Sequence, residues 1–372
     1  MFILSYVRIA VLSLVLLLDQ FSGESFRRLL WIWRRRRLNV LPLTIPSGRR
    51  EMIADFYFAK ANEPRAALLL IHGVLETGKD DPRLVRLAKT LANCGFAVLV
   101  PELNGLKSLL LDMEESRDIT AAFRFMLARE EVDETRAGLF GISFAAGLTL
   151  KAASDPCIRE HVRFVVSFGG YYDTVNVVRY LTTAQDEFRG YRHVQSPEAF
   201  ALHVFVKNLL LRVTCGDDRM ILTDLLDQDG SDPDGVILSR SPYQLTDSGR
   251  AVYELVRNRD PARIENLIGA TEPSVQGYLE SLSLCRVVPQ VKARVLIGHG
   301  HTDPLIPSTE SLRLADALTA SQLVYVAILE IVTHVDARLF VGSICKFLTI
   351  SLPSCCRFYG LILRILKEQF HS

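Results

Sequence analysis

A serine placed at a tight corner between a strand and a helix is the feature that most constrains this chain. Residues 141–147, Gly-Ile-Ser-Phe-Ala-Ala-Gly, follow a short apolar run over residues 137–140 and precede a segment of helical character. At such a corner the residues two before and two after the serine must be small, and the hydroxyl group then projects clear of the backbone. Gly141 and Ala145 occupy these positions, with alanine where the usual pattern Gly-x-Ser-x-Gly has glycine. The pattern favours Ser143 as a nucleophile, and the alternative is an ordinary N-cap of a helix that starts with small residues.

Candidates for an acid and a base follow the serine along the chain. A serine hydroxyl becomes a good nucleophile only when a histidine takes its proton and a carboxylate orients that histidine. Residues 294–298 form a buried-strand pattern that leads into a polar loop with Asp303, and residues 323–330 form a second strand pattern that leads to His334. The interval between Asp303 and His334 accommodates one helix and one strand. The sequence therefore predicts the order serine, acid, histidine.

Together these motifs resemble the α/β-hydrolase superfamily, and in particular its dienelactone-hydrolase-like and serine esterase or peptidase members, over roughly residues 53–347. Two more motifs carry the resemblance. His72-Gly73-Val74 follows an apolar strand pattern, and residues 101–105, Pro-Glu-Leu-Asn-Gly, resemble the family's Pro-Asp-x-x-Gly with glutamate in place of aspartate.

The resemblance implies an oxyanion hole made by the backbone N–H groups of Val74 and Phe144. In this family such donors hold the negative oxygen of the reacting carbonyl, and each contributes about 3 to 4 kcal/mol where it has been tested. The dienelactone hydrolases proper use a cysteine nucleophile, whereas this chain has Ser143 at the corner. The resemblance therefore does not extend to dienelactone as the substrate.

The pattern of the whole chain predicts an α/β fold, with a mostly parallel central sheet and helices on both faces. Short β-rich runs alternate with segments of helical periodicity. Residues 50–170 are assigned to the N-terminal half of the hydrolase domain and residues 290–350 to its C-terminal half. One helix is predicted to start at Pro82 and to end at Gly95, and a second is predicted over residues 112–129.

Residues 171–289 interrupt this alternation, and we expect them to form a largely helical cap that covers the strand ends and shapes the pocket. Helical patterns occur over residues 196–211 and 262–268, on either side of the acidic stretch 227–235. That stretch lacks the glutamate that ends a twelve-residue calcium loop, so we expect no calcium there. Five aromatic residues are candidates either for lining an acyl or alcohol pocket or for ordinary packing: Tyr171, Tyr172, Tyr180, Phe188 and Tyr191.

Two groups of potential metal ligands were considered. His299-x-His301-x-Asp303 matches the first part of the ligand motif of metallo-β-lactamase-like hydrolases, and its side chains would suit zinc. Pro304 stands where that family has its next histidine, so we assign both histidines to the loop around Asp303. The acidic run over residues 130–134 is expected to be solvated surface in the loop before the strand that leads to the serine. We predict no metal and no cofactor.

The N-terminal segment, residues 1–40, is predicted to associate with a membrane. Residues 2–18 are apolar except for Arg8, and six arginines and two tryptophans follow between residues 27 and 37. By the positive-inside rule those arginines would keep the catalytic domain in the cytoplasm. The alternatives are an interfacial helix, because about 17 residues is short for a span of about 30 Å, and a cleaved signal peptide that exports the protein. Residues 354–372 are predicted to form an amphipathic helix that docks on the domain or on the same membrane.

Charge and cysteine content narrow the possible functions. The 43 basic and 42 acidic residues leave a net charge of +1, which provides no field for nucleic acid. The seven cysteines are scattered and do not resemble a disulfide framework. The sequence predicts a membrane-associated serine hydrolase that cleaves a carboxylic ester of a small molecule through an acyl-enzyme on Ser143. A peptidase, thioesterase or acyltransferase with the same triad, and a noncatalytic binding protein of the same fold, are the alternatives.

Overall fold

An eight-stranded sheet forms the centre of the molecule. The computed structural model describes residues 2–21, 38–48, 50–194, 196–229, 244–320, 322–334 and 346–370. The sheet has the strand order β1-β2-β4-β3-β5-β6-β9-β10, in which β2 runs antiparallel to both its neighbours and the other pairs are parallel. Its strands are β1 (Leu38–Ser47), β2 (Arg50–Ala59), β3 (Arg65–Ile71), β4 (Ala97–Pro101), β5 (Val132–Ile142), β6 (Phe164–Phe168), β9 (Arg294–Gly300) and β10 (Leu323–Leu329); β7 (Gln185–Phe188) and β8 (Tyr191–Val194) pair separately. The predicted α/β class with a mostly parallel sheet is confirmed.

Helices cover both faces of this sheet. They are α1 (Phe2–Phe21), α2 (Pro82–Cys94), α3 (Asn104–Lys107), α4 (Ser116–Leu127), α5 (Phe144–Ser154), α6 (Thr174–Thr183), α7 (Ala199–Leu210), α8 (Gly216–Asp229), α9 (Asp247–Arg257), α10 (Ile264–Ala270), α11 (Pro273–Leu282), α12 (Thr309–Ala317) and α13 (Leu352–Lys367). Short 3₁₀ turns lie at Gly78–Asp80, Met113–Glu115, Pro261–Arg263, Val288–Gln290 and Glu368–Phe370, and a π-helical turn at Phe347–Ser351 precedes α13.

The central strands divide their side chains between two hydrophobic clusters because neighbouring residues of a strand point to opposite faces of a sheet. Leu69 of β3 and Leu139 of β5 belong to the cluster under α4 and α5. Leu68 and Phe140, one residue along each strand, belong to the cluster under α2 and α13. Strands covered on both faces must be apolar throughout, which explains the continuous apolar runs in the sequence.

The boundaries of α2 follow from its sequence. The Asp81 carboxylate accepts hydrogen bonds from the backbone N–H of Arg83 at 2.9 Å and of Leu84 at 3.4 Å, and Pro82 occupies the first turn. Gly95 ends the helix with a φ of 124°. The predicted start and end are therefore confirmed.

The second predicted helix, over residues 112–129, is shorter than expected. Asp112 caps the 3₁₀ turn Met113–Glu115 by accepting a hydrogen bond from Glu114 N at 2.9 Å, and α4 begins only at Ser116. The acidic first turn thus belongs to a separate 3₁₀ segment.

The acidic run over residues 130–134 is not confined to the loop before β5. The strand begins at Val132, so Asp133 and Glu134 lie within it. Asp133 forms an ion pair with Arg136 at 2.8 Å at the surface.

The two terminal helices pack against each other on one face of the sheet. The Tyr359 hydroxyl of α13 donates a hydrogen bond to the carbonyl oxygen of Ala10 in α1 at 3.3 Å. One face of α1 is buried against the rest of the protein, and another face is exposed. The buried ones include Ile9, Leu12 and Leu16, and the exposed ones include Val11, Leu14 and Leu18.

Three helical segments of the described residues are markedly apolar: one at each end of the chain, and α7 (Ala199–Leu210). The helical stretch Phe347–Phe370 is long and apolar enough to cross a membrane by length and composition, and Ile9–Leu18 is a shorter apolar helix. The α13 part of the first stretch buries Leu361, Ile362 and Ile365 against the sheet. The arginine-rich residues 27–37 lie outside the described residues.

The segment between β6 and β9, predicted as a cap, contains α6 to α11 and the two-stranded β7–β8 sheet. The beginning of the acidic stretch 227–235 belongs to α8, and the rest lies outside the described residues.

Candidate active site

Ser143 occupies the corner between β5 and α5 in a backbone conformation that residues other than glycine rarely adopt. Its φ is 59° and its ψ is −133°. Such a conformation costs about 1–3 kcal/mol and persists only where the surroundings enforce it. Here the Ser143 N–H donates to the Phe168 carbonyl oxygen of β6 at 2.8 Å.

Small residues make this corner possible. A methyl group on Gly141 would lie 2.5 Å from the Ala145 carbonyl oxygen and 2.6 Å from Ala146 Cα, so no other residue fits at position 141 without moving the helix. Ala145 itself is fully buried and accommodated. The close approach that the sequence pattern predicted is therefore present, and alanine satisfies it on the helix side.

Asp303 and His334 are in direct contact. His334 Nδ1 lies 2.6 Å from Asp303 Oδ2. The other carboxylate oxygen, Oδ1, accepts hydrogen bonds from the backbone N–H of Leu305 at 2.8 Å and of Ile306 at 3.1 Å. With these bonds the buried carboxylate is held in one orientation, and its Oδ2 is directed to the histidine ring.

The electrostatics of the pair favour the ionised carboxylate. Burial alone would raise the pKa of Asp303, but the charge of His334 and the hydrogen bonds from His299 and His334 outweigh burial and hold the pKa well below its ordinary value. Asp303 is therefore a carboxylate throughout the neutral pH range.

His299 is a further contact of Asp303 whose geometry the sequence did not reveal. Its Nε2 lies 3.0 Å from the Ile306 carbonyl oxygen and 3.3 Å from Asp303 Oδ2, while its Nδ1 lies 2.7 Å from the Ser311 hydroxyl. A carbonyl oxygen can only accept, so His299 Nε2 carries a proton, and Nδ1 forms a hydrogen bond with the Ser311 hydroxyl, which can donate or accept. The only signal of this contact in the sequence is the spacing of four residues between His299 and Asp303, which also fits the start of a metal-ligand motif.

The structure also bears on the two histidines of the motif His299-x-His301-x-Asp303. Among the described residues, no cluster of three or more His, Cys, Asp or Glu side chains is arranged to hold a metal ion. His301 contributes its backbone N–H to the Leu329 carbonyl oxygen at 2.9 Å, which ties the loop to β10.

Two glycines bring the acid and the histidine together. A methyl group on Gly300 would overlap the Thr333 carbonyl oxygen, so only glycine lets the chain that carries His334 lie against the end of β9. Gly169, with a φ of 64°, lies beside the pair, since a methyl group there would be 3.6 Å from His334 Cε1 and 3.7 Å from Asp303 Oδ2. Neither glycine stands out in the sequence, because their close neighbours are distant along the chain.

The backbone amides of Val74 and Phe144 border the same site. Neither N–H donates a hydrogen bond to a protein group within the described part of the chain. Both residues line the cavity that contains Ser143. A methyl group on Gly73 would lie 3.5 Å from Ser143 Cβ, so the loop that carries Val74 is in close contact with the serine.

His72 fixes the conformation of that loop. Its Nδ1 lies 2.7 Å from the Gly73 carbonyl oxygen, and its Nε2 accepts a hydrogen bond from Leu103 N at 3.1 Å. Only the neutral ring with its proton on Nδ1 makes both bonds. Burial lowers the pKa of His72, which favours this neutral form.

These groups converge on a cavity of about 640 Å³. Ser143 and His334 both line it, and the Ser143 residue is 8% exposed. The hydrogen bonds of the described residues include none between the Ser143 hydroxyl and the His334 ring. Catalytic hydrogen bonds are often long in ligand-free enzymes and tighten when substrate binds. The structure thus joins the acid to the histidine and places the serine in the same cavity.

Of the five aromatic residues that are candidates for lining the pocket, the structure describes the side chains of four. Among these four, only Tyr171 lines the cavity. Its ring stacks on that of Phe144 with centroids 5.6 Å apart, and its hydroxyl donates to the Leu282 carbonyl oxygen at 2.9 Å. Tyr180 is instead fully buried, and its hydroxyl lies 3.3 Å from the Asp303 carbonyl oxygen.

Comparison with solved structures finds this architecture at low sequence identity. An acylaminoacyl peptidase in complex with Z-Gly-Gly-Phe-chloromethyl ketone aligns at 15% identity and a TM-score of 0.51, over 92% of this chain and 43% of that chain. The orthorhombic crystal form of Pyrococcus horikoshii acylaminoacyl peptidase aligns at 13% identity and a TM-score of 0.51, over 93% and 44%. A dienelactone hydrolase from Anabaena variabilis aligns at 14% identity and a TM-score of 0.43, over 87% and 98%. Neither a protein-family model nor a curated protein sequence matches the chain.

The two similarities to acylaminoacyl peptidase structures concern the fold alone. The chain spans less than half the length of the two peptidase structures. The strand order, the single antiparallel strand β2 and the structural matches show that this chain has the α/β-hydrolase fold. The resemblance drawn from the sequence motifs is confirmed at this level.

Proposed function

We propose that the protein is a serine hydrolase that cleaves a carboxylic ester through an acyl-enzyme formed on Ser143. The observation that carries this proposal is the Asp303–His334 contact of 2.6 Å at the wall of the cavity that contains the strained serine. Strained backbone at a concave site with an oriented base is the combination that nucleophilic catalysis requires.

In the proposed reaction, Ser143 Oγ attacks the carbonyl carbon of the ester while His334 Nε2 takes the hydroxyl proton. The Asp303 carboxylate accepts the Nδ1–H of His334 and stabilises the imidazolium that forms. The carbonyl oxygen becomes an oxyanion between the free amides of Val74 and Phe144. When the carbon–oxygen bond breaks, His334 returns the proton to the leaving alcohol. Water then attacks the acyl-enzyme while His334 takes its proton, the bond between the acyl carbon and Ser143 Oγ breaks as His334 returns the proton to Oγ, and the carboxylic acid leaves.

The experiment that tests this proposal is labelling with a fluorophosphonate, which reacts with activated serines. The wild-type protein, Ser143→Ala and the control Ser281→Ala on α11 are compared. We expect label on the wild type and on Ser281→Ala and none on Ser143→Ala. Folded wild-type protein that takes no label would exclude an activated serine and leave the noncatalytic binding protein as the best account.

The leaving group is tested with the same variants. Esters, thioesters and amides that share one acyl group are compared by kcat/KM, and added alcohols or amines report acyl transfer. We expect the ester to be hydrolysed fastest. A preference for the amide, or transfer in place of hydrolysis, would replace the ester hydrolase with a peptidase or an acyltransferase that uses the same residues.

We further propose that α1 contacts a membrane surface through one face. Val11, Leu14 and Leu18, spaced by three and four residues, are 41%, 50% and 39% exposed and form an apolar stripe. The opposite face of α1 is buried against the domain, which favours a helix lying on the membrane over one that spans it. Lipid is the proposed partner because the arginines of residues 27–37 follow this helix and suit anionic headgroups. The catalytic domain would then lie on the side of those arginines, in the cytoplasm.

A further inference from the structure

The lining of the catalytic cavity belongs to two different hydrophobic clusters. On the cap side, Tyr171, Leu181 and Phe205 line the cavity and belong to the cluster under α4 and α5. On the other side, the lining residues belong to the cluster under α2 and α13. The cavity therefore reaches both faces of the sheet, with the serine corner between them.

The second side has a wall made by three helices, and we call it the terminal-helix wall. It consists of Leu16 of α1, Leu84 and Leu87 of α2, and Leu361 and Ile365 of α13. All five side chains are aliphatic. Leu16 is 5% exposed, and α1 is seated on α13 by the hydrogen bond from Tyr359 to Ala10, so α1 supplies part of the wall.

This wall is continuous with the catalytic residues. Ile142, next to Ser143 in the chain, lines the cavity and packs against the same cluster as the wall. Val332, two residues before His334, is a buried member of that cluster and also lines the cavity. An apolar surface thus runs from the serine and the histidine to the terminal helices.

The charged side chains that line the cavity are Asp81, Arg83 and Arg86 at the start of α2, and Glu198 before α7. Asp81 and Arg83 form an ion pair at 3.0 Å. The five aliphatic side chains of the wall carry no polar group of their own, so an apolar ligand that lies against them gains dispersion contacts and removes apolar surface from water.

We infer that the terminal-helix wall binds a long hydrocarbon chain of the ester, so that the substrate class is a long-chain aliphatic ester. The assignment of the substrate as an ester rests on the proposed ester hydrolysis. The binding of a hydrocarbon chain to the terminal-helix wall does not depend on that reaction. Each methylene buried along the wall favours binding about fourfold, so affinity should rise steeply with chain length.

The test uses substitutions that fill the space at the wall. Leu87→Trp on α2 and Leu16→Trp on α1 are compared with the control Leu211→Trp, at the end of α7, whose side chain is 49% exposed and outside the cavity lining. Two measurements are made on the full chain: binding of dodecanoic acid by titration, which needs no catalysis, and the ratio of kcat/KM for p-nitrophenyl dodecanoate to that for p-nitrophenyl acetate.

We expect Leu87→Trp and Leu16→Trp to weaken dodecanoic acid binding and to lower the kcat/KM ratio by about tenfold or more, and Leu211→Trp to change neither. Circular dichroism identifies a variant that fails to fold, and the partly exposed position of Leu87 tolerates the larger side chain best. Dodecanoic acid binding that both wall variants retain would overturn the inference, even if esters are hydrolysed. Binding that depends on the wall, in a protein that hydrolyses no ester, would support the inference and refute the proposed reaction.

Discussion

Gly300 at the end of β9 lies directly against the carbonyl oxygen of Thr333, the residue before the proposed catalytic histidine. The contact leaves no room for a side chain at position 300. The distance between Asp303 and His334 therefore depends on a residue that carries no chemistry of its own.

Gly300→Ala is expected to reduce ester hydrolysis and fluorophosphonate labelling by at least about tenfold and to destabilise the fold by about 1–3 kcal/mol, because the new methyl group pushes the His334 segment away from Asp303. The control is Gly277→Ala on α11, where a methyl group meets no atom within 4 Å. That control is expected to keep activity and to gain up to about 1 kcal/mol of stability. Activity of Gly300→Ala equal to the wild type would show that the close contact does not position the histidine.

Asp303→Asn is expected to keep the fold and to lower kcat/KM by about 10⁴-fold, since an amide cannot stabilise the imidazolium or hold the ring in its productive tautomer. The measurement is ester hydrolysis together with thermal unfolding. Asp316→Asn, at an exposed position on α12, serves as the control and should change neither kcat/KM nor the unfolding temperature. A loss of only a few fold would place Asp303 outside the catalytic group.

His72 is expected to contribute less to the stability of the protein as the pH falls below about 6.5. The folded protein holds the pKa of His72 below its ordinary value of about 6.5, so below that pH the unfolded chain binds a proton that the folded protein does not. This contribution to the free energy of unfolding is present above about pH 6.5 and is lost as the pH falls toward the lowered pKa. Denaturant unfolding between about pH 7 and pH 5 should show a smaller pH dependence for His72→Asn than for the wild type. If the free energy of unfolding depended on pH equally in the two proteins, protonation of His72 would not destabilise the folded state.

The double substitution Val11→Glu and Leu14→Glu is expected to abolish binding to vesicles with anionic lipids and to leave hydrolysis of a soluble short-chain ester unchanged. Two carboxylates on the exposed stripe of α1 oppose both the apolar contact and the negative surface. Cosedimentation with vesicles is the measurement, with the similarly exposed Met220→Glu on α8 as the control. Vesicle binding that survives in the double variant would assign the membrane contact to another part of the chain.

The sequence predicted the parts of this site that depend on short segments. The corner at Ser143 requires small neighbours within two residues, and the strand that leads to Asp303 is a continuous apolar run, so both could be recognised locally. The mostly parallel sheet with helices on both faces follows from the alternation of strand and helix.

The parts that depend on distant residues were not predictable. Gly169 and Gly300 look ordinary until the loops that approach them are known. Leu16 belongs to an apolar segment of a kind typical of membrane contact, and only the packing of α1 on α13 shows that one of its faces is buried in the protein. Such pairings between the two ends of a chain leave no local pattern.

Because Leu16 lines the cavity that contains Ser143, any removal of the first helix would also change that cavity. If the first helix were removed by a signal peptidase, the mature enzyme would lose part of the wall of its catalytic cavity, and the apolar face of α13 that it covers would be open to solvent. Proteolytic removal of this helix would then change both the location of the protein in the cell and the range of esters that it accepts.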